Sequence, residues 1–532
     1  MESKTIDNQL YQKLISIRSN KNLLLRSCKY LRENFVGLDG RSKPLKLRYY
    51  QVQMVMHLAA MNRFLNGEDT GLGKTLEVIS TLSYIWEKTP NMKVVVFTNK
   101  SAVNQWASEF NKFTDGINSF PCSGSPKQRK KIRDQFLEST GPSVIVIGYR
   151  SAVQDFGEIQ DWSKMIVVFD EATVFKNPST QVHQVCRYMA DRSERVWGLT
   201  ATLIKNSLIE GWGIFAVIVP GLFGNKNHFM QNFCITRMQT IPGSRRQIPV
   251  ITGYRKKDIE EFRSIIDPYY LGRPKFEVAS ELPPLITRHV KVGMTDKQAE
   301  KYTEALSGIL KVHGSEKEVS PLTAIAYCQQ IVNHLELVGS DGPSEKLDEL
   351  MDLLGDGGDF CGEKVIIFSR FRKMVDIMMG VLKKAKIKAV RITGSEDEKG
   401  RSKAQDEFQN PESDVTVCCI TTAASEAINL QAAKAIIFYD TPWSAGEYLQ
   451  ILGRMIRIGS VHDRCYALHL VVEESIDEKV VKVLSKKMEL VESVLGKRIK
   501  GEDSDIVVDS KNEISDIFDS LVADAKKAVI RI

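Results

Sequence analysis

The chain has 532 residues, 43% hydrophobic and 26% charged, which is enough to bury more than one core and predicts two to four domains. Its longest apolar runs, such as "GIFAVIVPGLF", fall far short of the roughly 20 residues that a helix needs to cross a bilayer, and the opening "MESKTIDNQL" is polar, with no apolar h-region, so an intracellular protein is expected. Nine cysteines without a CxxC pair predict reduced core thiols rather than disulfides or zinc ligands, and a net charge of +7 suits a polyanionic partner without demanding one.

Residues 1–44 read as a charged, largely helical segment. Short apolar runs then recur between polar stretches: "VVVF" at 94–97, "VIVIG" at 144–148 and "MIVVFD" at 165–170. Runs of this kind predict buried parallel strands alternating with helices, a first doubly wound lobe over 45–225. Helical periodicity marks 226–343 as insertions, among them "TDKQAEKYTEALSGILKVH", which opens on a Thr295-x-x-Gln298 capping signal. A second strand cluster, "VIIFS" at 365–369, "VTVCCIT" at 415–421 and "AIIFYD" at 435–440, predicts a second lobe over 344–480, followed by a helical tail over 481–532. The expected class is α/β: two doubly wound parallel-sheet lobes in tandem with helical insertions between them.

"GEDTGLGKT" at 67–75 sets Gly71 and Gly73 ahead of Lys74 and Thr75, with a helical pattern after them. Glycines let backbone N–H groups turn toward phosphate oxygens, the helix N-terminus adds its dipole, a lysine reaches terminal phosphates and a threonine hydroxyl holds magnesium. The segment therefore predicts a cradle for ATP and Mg2+. Glu68 stands where a strict GxxxxGK[ST] pattern has glycine, so for the segment alone a Gly-rich turn capping a helix stays open as the alternative. Further on, "MIVVF" ends in Asp170-Glu171, which a doubly wound sheet would place beside the phosphate loop. Asp170 is expected to bind magnesium through water and Glu171 to position or deprotonate the attacking water. In "QILGRMIRIGS" at 450–460, Arg454 and Arg457 lie three apart on one helical face, with Gln450 and Gly453 as their context. That spacing suits arginine fingers reaching a γ-phosphate across a cleft, the alternative being a solvated face.

Together these residues resemble the Swi/Snf-like ATPases of helicase superfamily two, over about residues 45 to 497. "LRYYQ" at 47–51 resembles the family's adenine-reading start, with Gln51 as reader. "DTGLGKT" resembles DEMGLGKT, which also lacks the early glycine; the resemblance implies that Thr70 and Leu72 line the nucleotide with Gly71, Gly73, Lys74 and Thr75. "NQWASEF" at 104–110, "DEATVFKNPSTQ" at 170–181 and "LTATLIKNSLIEGWGIF" at 199–215 match successive signatures of the first lobe. "LPPLITRHVKVGMTDKQAEKY" resembles the return strand and helix, "QQIVNHLEL" the RQICNHPEL segment, and "SEKLDELMDLL" the entry to the second lobe. There "VIIFSRF", "RITGS", "TTAASEAINLQAA" and "GRMIRIGS" keep family order. The resemblance implies two RecA-like lobes and ATP-dependent translocation along duplex DNA.

A tracker of that kind grips phosphates and sugars, because base contacts would tie it to one sequence. The strand ends offer Asn99, Lys100, Ser101, Tyr149 and Arg150 in the first lobe. The second offers Ser369, Arg370, Arg372, Gly394, Ser395, Thr421 and Thr422. Several positions depart from the family pattern: Thr173 replaces a histidine, Leu203 a proline, Ser425 and Ala427 glycines, and Ile456 a histidine. None removes a charged catalytic group, but coupling between the nucleotide site and Thr200 to Thr202 is open to change.

Residues 228–284 look most like the branch that reanneals strands and remodels forks or branched DNA, in a bacterial, phage or other viral setting. The expected partners are double-stranded or branched DNA and proteins of replication, recombination or transcription, with no membrane and a monomeric chain. The compartment would be the cytoplasm in a bacterium or phage host and the nucleus in a eukaryote. Two other readings stand beside this one: a motor that displaces bound proteins or recycles RNA polymerase, and a noncatalytic DNA-binding scaffold derived from a motor. Arg245 and Arg246, in the inserted region, are the basic residues singled out for a test of DNA contact.

Overall fold

Every residue of Val94–Phe97, Val144–Ile147 and Ile166–Phe169 is fully buried. Strands apolar on both faces need helices on both sides, and parallel pairing with crossover helices supplies them. The computed structural model describes residues 29–36, 41–159, 165–240, 247–278, 283–313, 321–422, 428–456, 462–495, 517–518 and 520–524. The chain divides into two units, Met1–Phe233 with Lys257–Ser280 and Cys234–Lys256 with Glu281–Ile532.

A short antiparallel pair, β1 (Asn34–Val36) and β2 (Ser42–Pro44), precedes the first sheet. Then come β3 (Arg63–Asn66), β4 (Lys93–Thr98), β5 (Asn118–Cys122), β6 (Ser143–Gly148), β7 (Ile166–Phe169) and β8 (Arg195–Leu199). An antiparallel hairpin, β9 (Ile235–Thr240) and β10 (Gln247–Gly253), leads to β11 (Tyr270–Leu271), which joins the first sheet. The order is β11-β3-β8-β7-β4-β6-β5, with every neighbouring pair parallel. Parallel strands share one carboxyl edge. Along it the loop after β3, the Thr200–Thr202 turn after β8, Asp170 after β7, Asn99 after β4 and Tyr149 after β6 follow one another in space. Trp86 and Trp197, both fully buried, fill the core beneath the sheet with Phe64, Phe110 and Ile79.

The second unit repeats the plan with β12 (Leu285–Val292), β13 (Val365–Phe368), β14 (Ala389–Ile392), β15 (Val417–Ile420), β16 (Ala435–Phe438) and β17 (Cys465–Val472). Its order is β12-β17-β16-β13-β15-β14, again all parallel. Both units have the doubly wound α/β architecture expected of tandem RecA-like lobes.

Two expectations are corrected. The described part of residues 29–44 is not helical: β1 and β2 pair, and Phe35 packs edge-on against Phe113 with ring centroids 5.3 Å apart. Residues 226–343 are not purely helical either, because they hold the β9–β10 hairpin and β11 beside helices such as Asp296–His313 and Pro321–Asn333, while the edge strand β12 lies in the segment that resembles a return strand. Edge strands and hairpins bury one face at most, so their mixed composition hides them from a search for apolar runs. Among the described residues no helix is long and apolar enough to cross a membrane.

Candidate active site

The loop after β3 depends on backbone angles that side chains resist: Gly71 has φ 84° and Gly73 φ 92°. Gly73 caps the helix Lys74–Lys88, and a Cβ there would lie 2.5 Å from Gln51 Nε2. Lys74 Nζ donates to the carbonyls of Glu68 at 2.8 Å and Asp69 at 3.1 Å, folding the lysine over its own loop. Gln51 is buried and spans two backbones: Arg48 N–H donates to its Oε1 at 2.9 Å and its Nε2 donates to the Leu72 carbonyl at 2.9 Å. Tyr50 Oη donates to the same carbonyl at 3.1 Å. The expected adenine reader thus sits against the phosphate loop, as do the half-buried Thr70 and Thr75.

Asp170 receives two hydrogen bonds on one oxygen. Thr98 Oγ1 and Trp106 Nε1 each donate to Oδ2 at 2.8 Å, and among the described residues Oδ1 accepts none. Burial raises the Asp170 pKa, while these two donors and the nearby Lys74 favour the charged form. Thr75 and Asp170 offer a hydroxyl and a carboxylate oxygen, hard donors that fit Mg2+. Glu171 takes the left-handed conformation, φ 53°, uncommon for glutamate, which turns its side chain at the head of the turn Ala172–Phe175. Thr173 Oγ1 donates to Glu171 Oε1 at 2.8 Å, and Lys205 Nζ lies 3.6 Å from the same oxygen. Thr173, the departure from histidine, therefore orients the carboxylate. Thr200 Oγ1 accepts from Thr202 N–H at 3.1 Å, and Thr200 N–H donates to the Asn66 carbonyl at 2.9 Å, joining this turn to the root of the loop after β3.

Of the residues expected to grip DNA from the first lobe, Lys100, Ser101 and Arg150 are exposed on the carboxyl edge. Tyr149 is a correction. It is 4% exposed, its hydroxyl donates to the Asp170 carbonyl at 2.7 Å and its ring stacks on Phe97, so it supports the Asp170–Glu171 turn from inside.

In the second unit Arg370, Arg372, Gly394 and Thr422 are exposed at strand ends. Arg370 donates through Nη1 to Gln329 Oε1 at 3.2 Å and lies over the Trp443 ring at 5.5 Å. Ser369 is a second correction: it is fully buried and donates to Asp440 Oδ2 at 2.5 Å, while Arg370 N–H donates to Oδ1 of the same carboxylate. Thr421 is a third, only 6% exposed. A side chain just past a strand turns inward whenever a buried polar group there needs a partner. Gln450, the buried Gly453 and Arg454 share the helix Ala445–Met455; Arg454 Nη1 donates to the Ile428 carbonyl at 3.3 Å. Arg457, like Arg245, Arg246, Ser425 and Ala427, lies outside the described residues.

Residues 50–337 match the SNF2-related domain, and residues 345–459 match the helicase conserved C-terminal domain. The chain belongs to the SNF2-related family. It carries a helicase-like ATPase core of the SNF2 type. Among relatives of this SNF2-related chain, an "ISWI chromatin-remodeling complex ATPase" from Saccharomyces cerevisiae is 27% identical over 89% of this chain and 43% of its own length. The Saccharomyces cerevisiae "Nuclear protein STH1/NPS1" is 25% identical over 84% of the chain and 34% of its own length. The chain therefore spans less than half the length of these curated relatives. A solved Sulfolobus solfataricus SWI2/SNF2 ATPase core in complex with dsDNA is 22% identical, covering 89% of this chain and 96% of that one, with a TM-score of 0.41.

Within the SNF2-related match lie three side chains to which the sequence assigned no role: Trp106, Thr98 and Lys205. Trp106 stands in "NQWASEF" and Lys205 in "LTATLIKNSL", so their segments were visible. Their partners were not, since only the adjacency of β4 and β7 brings Thr98 and the helix Val103–Phe113 to Asp170.

Proposed function

We propose that this SNF2-related chain is an ATP-dependent translocase on double-stranded DNA. The observation that carries the reading is the one carboxyl edge of the first sheet, where the Lys74 loop, the Thr200–Thr202 turn and the Asp170–Glu171 pair stand on adjacent strands. Lys74 holds terminal phosphates, Gln51 reads the base, and Glu171, oriented by Thr173 and Lys205, positions the attacking water. Thr75 and Asp170 would hold Mg2+, which would supply charge neutralisation at the phosphates. Arg454 and Arg457 are assigned the stabilisation of charge on the transferred phosphate. The Thr200 to Asn66 hydrogen bond gives the loop a direct path to the coupling turn. Exposed Lys100, Ser101, Arg150, Arg370, Arg372 and Gly394 suit backbone contacts, which serve movement along any sequence.

For its task we assign remodelling of forked or branched DNA, by branch migration or annealing in replication, recombination or repair. A second reading, displacement of DNA-bound proteins, is favoured by the names of the relatives, which include chromatin-remodelling ATPases. ATP turnover measured with single-stranded, duplex, forked and four-way DNA, followed by triplex displacement on the best activator, separates them. Strongest stimulation by forked or four-way DNA supports the first; equal stimulation by plain duplex with release of a bound protein supports the second. Lys74→Ala and Arg454→Ala are each expected to lower turnover by about 10^3-fold or more while DNA binding persists. A wild-type chain that binds DNA but is as inert as both variants is a scaffold, not a motor.

A further inference from the structure

The segment that returns as β11 also supports the phosphate loop. Gly67 N–H donates to the Leu271 carbonyl at 2.8 Å and Asp69 N–H to the Arg273 carbonyl at 3.3 Å, so the loop begins as a continuation of the β3–β11 pairing. The fit leaves no room: a Cβ on Gly67 would stand 2.2 Å from the Tyr270 ring. Arg273 then turns its guanidinium inward. Its Nε donates to Glu68 Oε1 at 2.8 Å, its Nη1 to Gln53 Oε1 at 2.6 Å and its Nη2 to the Tyr50 carbonyl at 2.9 Å, with a second contact from Nη2 to Glu68.

Glu68 is fully buried, and a buried carboxylate keeps its charge only when paired. Burial pushes its pKa up; Arg273 is the largest influence that pulls it down. The same residue offers its backbone carbonyl to Lys74, as does Asp69, whose N–H is bonded to Arg273. The helix Tyr49–Ala60, which carries Gln51, is tied in through Gln53 and Tyr50. One guanidinium, 205 positions along the chain from Glu68, thus joins the anchors of Lys74 to the helix that carries Gln51.

We propose that Arg273 is a positioning residue for ATP hydrolysis, acting through Glu68 to fix the loop carbonyls that orient Lys74. The proposal rests on the reading of the Lys74 loop as the ATP site. Glu68 occupies the position where the strict phosphate-loop pattern has glycine, and Arg273 is what allows a charged residue to stand there.

The test uses the full chain with ATP and duplex DNA. Arg273→Met should raise KM for ATP roughly 10- to 100-fold, the loss expected for hydrogen bonds to a charged group, with duplex affinity in the absence of nucleotide unchanged. Arg273→Lys keeps the charge but not the planar fork, so a smaller rise in KM is expected and guards against a misfolded Met variant. The double variant Glu68→Gln with Arg273→Met removes the unpaired buried charge. It should recover the thermal midpoint while KM stays high, because the loop remains unheld. Wild-type KM in Arg273→Met, or a double variant that regains wild-type KM along with its thermal midpoint, overturns the proposal and leaves Arg273 a structural ion pair. Lys74→Ala hydrolysing ATP like wild type would instead remove the ATP reading and the positioning role of Arg273 with it.

Discussion

Asp170 has its two side-chain hydrogen bonds on Oδ2, which leaves Oδ1 aimed away from Thr98 and Trp106. A carboxylate held by a tryptophan N–H cannot rotate freely, and a hydrogen bond to a charged acceptor contributes about 1.5–3 kcal/mol. Trp106→Phe keeps the ring and removes the donor. It should lower ATP turnover roughly 10- to 100-fold at saturating ATP, with nucleotide affinity changed little; phosphate release and binding of a fluorescent nucleotide check the two halves. The Lys74 loop and the Asp170–Glu171 strand end stood out in the sequence because residue type and spacing restrict the chemistry available, whereas Gln51 was reached only through the resemblance of "LRYYQ" to the family's start. Trp106 was not legible, since a tryptophan among apolar neighbours reads as core until topology sets it beside β7. Tyr149 and Ser369 were misread for a related reason. Position at a strand's end is visible in sequence, whereas the direction in which the side chain turns depends on the buried group it satisfies, the Asp170 carbonyl or the Asp440 carboxylate.

At the scale of elements, the central strands announced themselves because parallel strands covered on both faces are continuous apolar runs. β11, two residues long, and the β9–β10 hairpin, with "ITRMQT" largely exposed, carry no such signal. They are recognised by pairing, which sequence periodicity does not encode. The helix Leu208–Ile218 shows what such packing demands. A Cβ on Gly213 would lie 1.9 Å from the Lys176 carbonyl, at the end of the Ala172–Phe175 turn that positions Glu171. Gly213→Ala should therefore push the helix away, lower stability by about 1–3 kcal/mol and slow turnover together. Gly380 provides the contrast, in the middle of the helix Arg372–Lys384, where, among the described residues, a Cβ would meet no atom within 4 Å beyond its own chain neighbours and its own helix's backbone. Gly380→Ala should raise stability by about 0.5–1 kcal/mol through the unfolded chain's lost freedom. Urea unfolding of the two variants beside wild type reads both signs.

Across the whole molecule, both units bury neutral histidines, so acid should weaken each of them. Burial lowers the pKa of His183 in the first unit and of His334 and His469 in the second. His469 is the extreme case. It lies in β17, 2% exposed, stacked between Phe438 at 4.7 Å and His289 at 5.1 Å, with Thr441 Oγ1 at 3.3 Å and Tyr448 Oη at 3.5 Å. Burial, and then the charge of His289, push it down to about 3 from the ordinary 6.5. Above pH 6.5 both folded and unfolded chains hold this imidazole neutral, and its full contribution to stability is present. Below that, the unfolded chain takes up a proton that the folded chain refuses, so stability falls progressively as pH drops from 6.5 toward about 3. Buried Glu68 and Asp440, whose pKa values burial raises, bind protons in the folded state first and act in the opposite sense. Wild-type pH dependence mixes the two, and a single variant separates them. His469→Phe keeps an aromatic ring against Phe438 and abolishes the titration. Compared with wild type in urea between about pH 7.5 and 5.5, it should gain in relative stability by up to about 1.4 kcal/mol per pH unit below 6.5, the value of one proton. Parallel curves for the two chains would mean that His469 takes up its proton equally well folded and unfolded.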